Sequence, residues 1–197
     1  NDNIVFYNYY NEEKVWEGEP NENCYADGHK NRLLHVLSKT YNKQYDITCV
    51  TTMLSNTYGP KSSINNGVIP ILINKCINAK KNNKDLKILG DGTPMRDFIY
   101  VKDVARIIHW MADNYDSVDP VILSTGHGIS IKNLVEVIVD AVNFKGDVIW
   151  IDESDIGQSS KMCCNLRLKK LLPDFIFTSM EDGINETVES FRRKLNE

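Results

Sequence analysis

The 197-residue sequence lacks the features that would tie it to a membrane or to nucleic acid. No apolar run approaches the roughly 20 residues that span a bilayer, and the polar first residues are unlike a signal peptide. Basic side chains are in deficit, because 23 Lys and Arg stand against 27 Asp and Glu, which gives a formal charge of −4. Binding to nucleic acid requires a concentrated basic face. We therefore expect no membrane and no nucleic acid as a partner.

Cysteine is also scarce, and no phosphate-binding loop is present. The five cysteines are an odd number and are scattered apart from the adjacent Cys163 and Cys164, which fits neither a disulfide framework nor a zinc site. We expect no metal and a reducing compartment, the cytoplasm. Neither a Gly-x-Gly-x-x-Gly nor a Walker-type loop occurs, so the usual backbone cradle for a dinucleotide or a triphosphate is missing.

What the sequence contains is an alternation of short β-rich runs with amphipathic segments. Apolar and β-branched runs predict strands, and apolar residues three and four positions apart predict helices. The predicted strands are residues 4–7, 47–54, 86–89, 98–101, 121–124 and 148–151. The predicted helices are residues 32–45, 68–79, a segment after Asp103, 132–142, 166–172 and 180–195, with a long loop at 8–23 and a turn at 55–60. This alternation predicts an α/β fold with parallel strands.

Three stretches carry a more specific signal. They are the Asn-Thr-Tyr-Gly-Pro turn at 56–60, the Val-Ile-Pro that opens a helix at 68–70, and the Gly-Asp-Gly-Thr-Pro-Met-Arg stretch at 90–96. These stretches resemble the extended short-chain dehydrogenase/reductases. Within that superfamily the chain is most similar to the GDP-L-fucose synthase family, whose members epimerise and reduce GDP-4-keto-6-deoxymannose with NADP. The later segments 120–124, 145–148, 155–161 and 172–175 support the same resemblance.

The resemblance covers the later part of such an enzyme and implies a divided fold. Residues 1–66 would form the remainder of a Rossmann-like nucleotide-binding domain that lacks its first strands. Residues 67–197 would form a smaller substrate-binding lobe, interleaved with the last Rossmann strands. An incomplete parallel sheet exposes apolar edges. We therefore expect another polypeptide, in a homo- or hetero-oligomer, to complete the sheet, unless the fold has been rebuilt, and we expect this chain alone to bind no NADP.

The catalytic residues of the family are replaced at the matching positions. These enzymes use a Tyr four residues before a Lys, since positions i and i+4 are neighbours on a helix and the ammonium lowers the pKa of the phenol. Alignment without gaps puts Asp27 at the position of the Tyr and Asn31 at that of the Lys. Asp27 accepts hydrogen bonds at neutral pH and Asn31 carries no charge, so neither can take over the role.

The other proton-handling groups that the resemblance implies are replaced as well. A Ser and a Cys follow a strand in the family, and Asp2 and Ile4 stand at those positions. A His precedes the Val-Ile-Pro stretch in the family, and Gly67 stands there. A local shift of the alignment would offer Tyr25 with His29 or Lys30 instead. His29 has the right four-residue spacing from Tyr25, whereas Lys30 does not; the alternative interpretation is a loop tyrosine with two solvated polar residues.

The binding residues are better preserved. By resemblance, Asn56, Tyr58, Val68 and Ile69 would line the nucleotide-sugar cleft. Arg96 and Lys161 stand where the family places cations near the diphosphate, although Arg96 could instead brace a turn and Lys161 could be an ordinary surface lysine.

Three hypotheses follow from these residues. The first is a catalytically inactive subunit that keeps a scaffold or GDP-sugar-binding role and pairs with another chain. The second is a working oxidoreductase that uses Tyr25 with Lys30 or His29 and takes its NADP loop from another polypeptide. The third is a purely structural component of a larger assembly.

Overall fold

A computed structural model describes residues 10–20, 22, 25–151 and 159–195. Its strands and helices alternate along the chain. The helices are α1 Tyr25–Tyr45, α2 Val68–Lys81, α3 Val101–Asn114, α4 Ile131–Val142, α5 Leu166–Leu171 and α6 Met180–Lys194. The strands are β1 Thr52–Leu54, β2 Asn56–Tyr58, β3 Leu86–Leu89, β4 Met95–Tyr100, β5 Val121–Leu123, β6 Gly128–Ser130, β7 Val148–Ile151 and β8 Ser160–Lys161. The predicted strand 4–7 and the positions Asp2 and Ile4 lie outside the described residues.

The strands pair mainly in parallel, so the predicted α/β fold is confirmed. β1 pairs with β5, β2 and β8 pair with β4, and β3 pairs with β7, all in parallel. The exception is β6, which runs antiparallel to β4. Strand β6 has only three residues, one of them glycine, so its hydrophobic pattern is too short to predict a strand.

Strand β4 separates two hydrophobic clusters. Side chains alternate across a strand, and accordingly Phe98 and Tyr100 pack into one cluster with α2, α4 and α6, while Ile99 packs into the other with α3 and β5. Phe98, Ile99 and Tyr100 are all buried. Both faces of the second half of β4 are therefore covered. The strand begins with Met95 and Arg96, which are only half-buried.

Two boundaries differ from the predictions for physical reasons. The predicted strand 47–54 forms a ladder only from Thr52, and the predicted turn contains β2. At Ser55 the chain changes partners: its N–H donates to Leu123 O of β5, and the next three residues pair with β4. A continuous apolar run cannot reveal such a change of partner.

The second difference is the start of α1, which begins at Tyr25 and not at residue 32. Tyr25 is therefore a helical residue and not a loop tyrosine. The predicted loop before it contains a short 3₁₀ helix at Glu12–Trp16, whose first turn is capped by the side chain of Asn11. None of the helices in the described ranges is long and apolar enough to cross a membrane. The proposed division at residue 67 remains a prediction.

Candidate functional site

A cleft of about 450 Å³ lies between the start of α2, the loop that joins β3 to β4, and the first half of β4. Most of its lining is aliphatic or glycine, and Lys75 and Arg96 supply two cations. The lining residues are Gly67, Val68, Ile71, Leu72, Lys75, Ile88, Leu89, Gly90, Gly92, Pro94, Arg96 and Ile131. An apolar cleft with a few convergent charged groups is the usual form of a small-molecule site.

The wall of the cleft opposite α2 is the tight loop of residues 90–94. The carboxylate of Asp91 accepts hydrogen bonds from the N–H and the hydroxyl of Thr93, at 2.9 and 2.7 Å. These bonds lower the pKa of Asp91. Gly92 has a φ of 76°, in the left-handed region that favours glycine. The bonds between Asp91 and Thr93 therefore stabilise the turn from within the loop.

Helix α2 provides the facing wall. Its first residue follows Gly67, whose φ of 90° and ψ of 155° turn the chain into the helix. Val68, Ile71 and Lys75 lie on one face, three or four residues apart, and are exposed, whereas Ile69 and Ile73 are buried in the core. The helix thus offers three aliphatic side chains, those of Val68, Ile71 and Leu72, and one ammonium to the cleft.

Arg96 and Lys161 are direct neighbours in the β4–β8 ladder. Residues opposite one another in a ladder project from the same face, so two cations lie side by side at the start of β4. Burial lowers the pKa of Arg96, but a guanidinium stays protonated at neutral pH. Its Nη1 donates to the carbonyl oxygen of Met95 at 2.8 Å, which helps to orient it. Lys161 is exposed and lies beside Arg96 in the ladder, outside the lining of the cleft.

The other predicted binding residues occupy different places. Val68 lines the cleft, whereas the side chains of Ile69 and Tyr58 are buried in the core, at 1% and 3% exposure. Burial also raises the pKa of Tyr58, whose ring packs against Gly183 of α6. The side-chain amide of Asn56 donates to the carbonyl oxygen of Asp97 at 2.8 Å and so ties β2 to β4. Asn56, Tyr58 and Ile69 support the strands and helix around the cleft.

Asp27 and Asn31, which are predicted to replace the family's Tyr and Lys, both lie on α1. The carboxylate of Asp27 accepts a hydrogen bond from the ammonium of Lys30 at 2.7 Å, and this bond lowers the pKa of Asp27. Asp27 is therefore ionised at neutral pH and has no proton to give. Asn31 is exposed and neutral. This pair does not fit the role that a Tyr and a Lys play beside a nicotinamide.

The structure brings Tyr25 and His29 into contact on α1, whereas the ammonium of Lys30 pairs with Asp27. The two rings meet edge to face, with centroids 4.5 Å apart, and His29 Nε2 lies 3.2 Å from Glu19 Oε2. Tyr25 is half exposed. Of the three residues that a shifted alignment would offer, the structure shows a side-chain contact between the tyrosine and the histidine.

Lys75 is a charged residue of the cleft that the motifs in the sequence did not predict. It lies seven residues after Val68, which is two helical turns, so its place on the same face could have been found from helical spacing alone. Within the described ranges, no group of three or more His, Cys, Asp or Glu side chains could hold a metal ion.

Comparisons with known proteins agree with this architecture. The sequence model of the "NAD dependent epimerase/dehydratase family" matches residues 17–126, more than half of the chain. The chain belongs to this family. Its similarity to GDP-L-fucose synthases within the family is also confirmed.

Among the curated relatives, the GDP-L-fucose synthase of Dictyostelium discoideum is 37% identical over 185 residues, which cover 91% of this chain and 58% of the relative. The probable GDP-L-fucose synthase of Drosophila melanogaster is 30% identical and is covered to 59%. A crystal structure of a GDP-L-fucose synthetase from Naegleria fowleri bound to NADP matches with a TM-score of 0.91 at 30% identity, over 98% of this chain and 63% of that one. The chain thus spans about three fifths of the length of these relatives.

Proposed function

We propose that this chain is a subunit that binds a GDP-sugar without catalysing its epimerisation or reduction, and that it pairs with another chain. One observation carries the proposal. The described site keeps a cleft with Lys75 and Arg96, whereas the helix that should present a Tyr and a Lys presents an ionised Asp27 and a neutral Asn31.

The binding half of the proposal rests on the charges of the cleft. A sugar diphosphate carries fixed negative charge, and guanidinium and ammonium groups match it. Arg96 is partly desolvated, which strengthens its attraction to an anion compared with an exposed side chain. The aliphatic side chains of Val68, Ile71 and Leu89 offer a base or a sugar face apolar contact.

The catalytic half rests on the proton-handling positions. A general acid must hold a proton at the working pH and deliver it to the reacting oxygen. Asp27 is held as a carboxylate by Lys30, and Gly67 has no side chain to move a proton. NADP is bound by the related crystal structure. We propose that this chain alone does not bind it, since the sequence has no glycine-rich dinucleotide loop.

The proposed pairing with another chain rests on the exposed face of α1. Five large apolar side chains follow a stripe on this helix, each between 42% and 63% exposed: Leu33, Leu34, Leu37, Tyr41 and Tyr45. The opposite side of the helix contacts the rest of the chain through His35, which is buried against Thr51. A contiguous apolar stripe on a surface helix is typical of a protein interface. We propose that another polypeptide, or a second copy of this chain, covers it.

Thermal unfolding with and without GDP tests the binding half. A ligand of the native state at about 100 times its Kd stabilises the fold by about 2.7 kcal/mol, which raises Tm by several degrees. We expect this shift for the wild type, and we expect Arg96→Ala and Lys75→Ala to weaken GDP binding by about tenfold or more. Lys169→Ala removes a charge from the exposed face of α5 and is the matched control. No shift in the wild type would favour the purely structural role.

A reductase assay with NADPH and GDP-4-keto-6-deoxymannose tests the catalytic half. We expect no turnover that depends on Tyr25, whether the chain is alone or together with a polypeptide that pairs with it. The alternative, an active enzyme, is favoured by the contact between Tyr25 and His29. It predicts turnover that Tyr25→Phe abolishes and that Lys30→Ala leaves intact. Turnover of that kind would overturn the proposal of an inactive subunit.

A further inference from the structure

One tryptophan outside the cleft packs against the wall that faces α2. Trp150 lies in β7, opposite Ile88 of β3, and is half-buried. A methyl group added to Gly92 would lie 2.7 Å from Trp150 Cη2 and 2.9 Å from Lys132 Cβ. Both distances are too short for carbon atoms in van der Waals contact. The indole and the stem of Lys132 therefore press directly on the backbone of the loop 90–94.

The backbone hydrogen bonds of this loop come from the same two elements. The N–H of Gly90 donates to Ile151 O of β7 at 2.8 Å, and the N–H groups of Ile131 and Lys132 donate to Pro94 O and Gly92 O at 3.0 and 2.9 Å. Gly90, Gly92 and Pro94 all line the cleft, whereas Trp150 does not. The position of the wall is thus set largely by Trp150, Lys132 and Ile151, which do not line the cleft.

We propose that Trp150 is a positioning residue of the cleft, which acts through Gly92 to hold the loop at the distance from α2 and Arg96 that a ligand needs. The proposal rests on the proposed function for its ligand, a nucleoside diphosphate. A wall that is already ordered spares the binding reaction the entropy of ordering it. Without the indole, the loop is held by the bonds between Asp91 and Thr93 and by its backbone bonds to β7 and α4.

The test compares Trp150→Ala with Val148→Ala. Val148 lies in the same strand, two residues earlier and on the same face, and is packed against the same core. We expect Trp150→Ala to weaken GDP binding in calorimetry by about five- to twentyfold, and Val148→Ala by less than about twofold, although both lower Tm. Trp150→Phe keeps an aromatic ring in β7 but lacks the far edge of the indole that touches Gly92, so it should recover only part of the affinity. Equal affinities for Trp150→Ala and Val148→Ala would overturn the proposal.

A second readout does not depend on any ligand. Amide hydrogen exchange at Ile131 and Lys132, whose N–H groups bind the loop, should become faster in Trp150→Ala and stay unchanged in Val148→Ala. Faster exchange without GDP binding in the wild type would refute the proposed function and leave the support of the loop intact. Unchanged exchange in Trp150→Ala would overturn the positioning role, whether GDP binds or not.

Discussion

Single residues of the cleft are constrained by the backbone as well as by any ligand, and Gly67 is the clearest case. Its φ of 90° lies where side chains other than hydrogen are strained. Space is not the limit, because a methyl group on Gly67 would lie 3.6 Å from Pro70 Cδ, which is ordinary contact. The cost of any substitution there is therefore conformational.

We expect Gly67→Ala to lower the free energy of unfolding by about 1–3 kcal/mol, the cost of a positive φ with an extended ψ for a residue with a Cβ. Urea denaturation would measure it. Asn66→Ala, at the exposed neighbouring position, is the control and should change stability by less than about 0.5 kcal/mol. An unchanged midpoint in Gly67→Ala would contradict the assigned conformation.

Asp97 predicts a pH dependence of stability. Its carboxylate is fully buried and accepts hydrogen bonds from the hydroxyls of Ser124 and Thr125. Burial raises the pKa of Asp97 above its ordinary value, despite the opposing effect of those bonds. The folded state therefore binds this proton more tightly than the unfolded state, so the contribution of Asp97 to stability falls as pH rises through the folded pKa.

Asp97→Asn removes this titration. The free energy of unfolding of the wild type, measured relative to Asp97→Asn, should decrease as the pH rises above the ordinary pKa of an aspartate. Denaturant titrations at several pH values would show it. A difference that stays constant, or that grows with pH, would mean that burial does not raise the pKa of Asp97 in the folded state.

Whole elements could be predicted where the hydrophobic pattern is local. The helices predicted at 68–79 and 132–142 are α2 and α4 within two residues, and β3 and β7 have the predicted bounds. The exchange of partners at Ser55 and the antiparallel β6 escaped prediction, because both depend on which strand lies alongside.

Within the site, motifs placed Arg96 and Val68 at the cleft. Their spacing could not show that Tyr58 and Ile69 turn into the core.

Helix α6 illustrates how much stability one element supplies. Its Ile184, Val188 and Phe191 are all buried in the cluster that includes Tyr58 and Phe98. We expect Phe191→Ala to lower the free energy of unfolding by about 3–5 kcal/mol, through lost transfer energy and the cavity left behind. Ile176→Ala, at a position 82% exposed, should cost less than about 0.5 kcal/mol in the same chemical denaturation. Similar losses for both variants would place Phe191 outside the core.

At the scale of the whole molecule, the question is what covers α1. An aspartate in the middle of its apolar stripe should prevent association, because burying an unpaired charge is costly. We expect Leu37→Asp to convert an oligomer into a monomer in light scattering, with a fold that remains intact, because Leu37 is already 42% exposed in the single chain. Lys39→Asp, on the other side of the helix, is the control. A wild-type chain that is a stable monomer at high concentration would refute pairing with a second copy and leave another polypeptide as the proposed partner.

The conformation at Gly67 also bears on how this protein could change over evolutionary time. The family resemblance implies a histidine at this position. The backbone at Gly67 has a geometry that only glycine occupies without strain. A variant that regained an imidazole here would therefore gain a proton carrier at a conformational cost, and a second change that relaxes the entry to α2 would favour it.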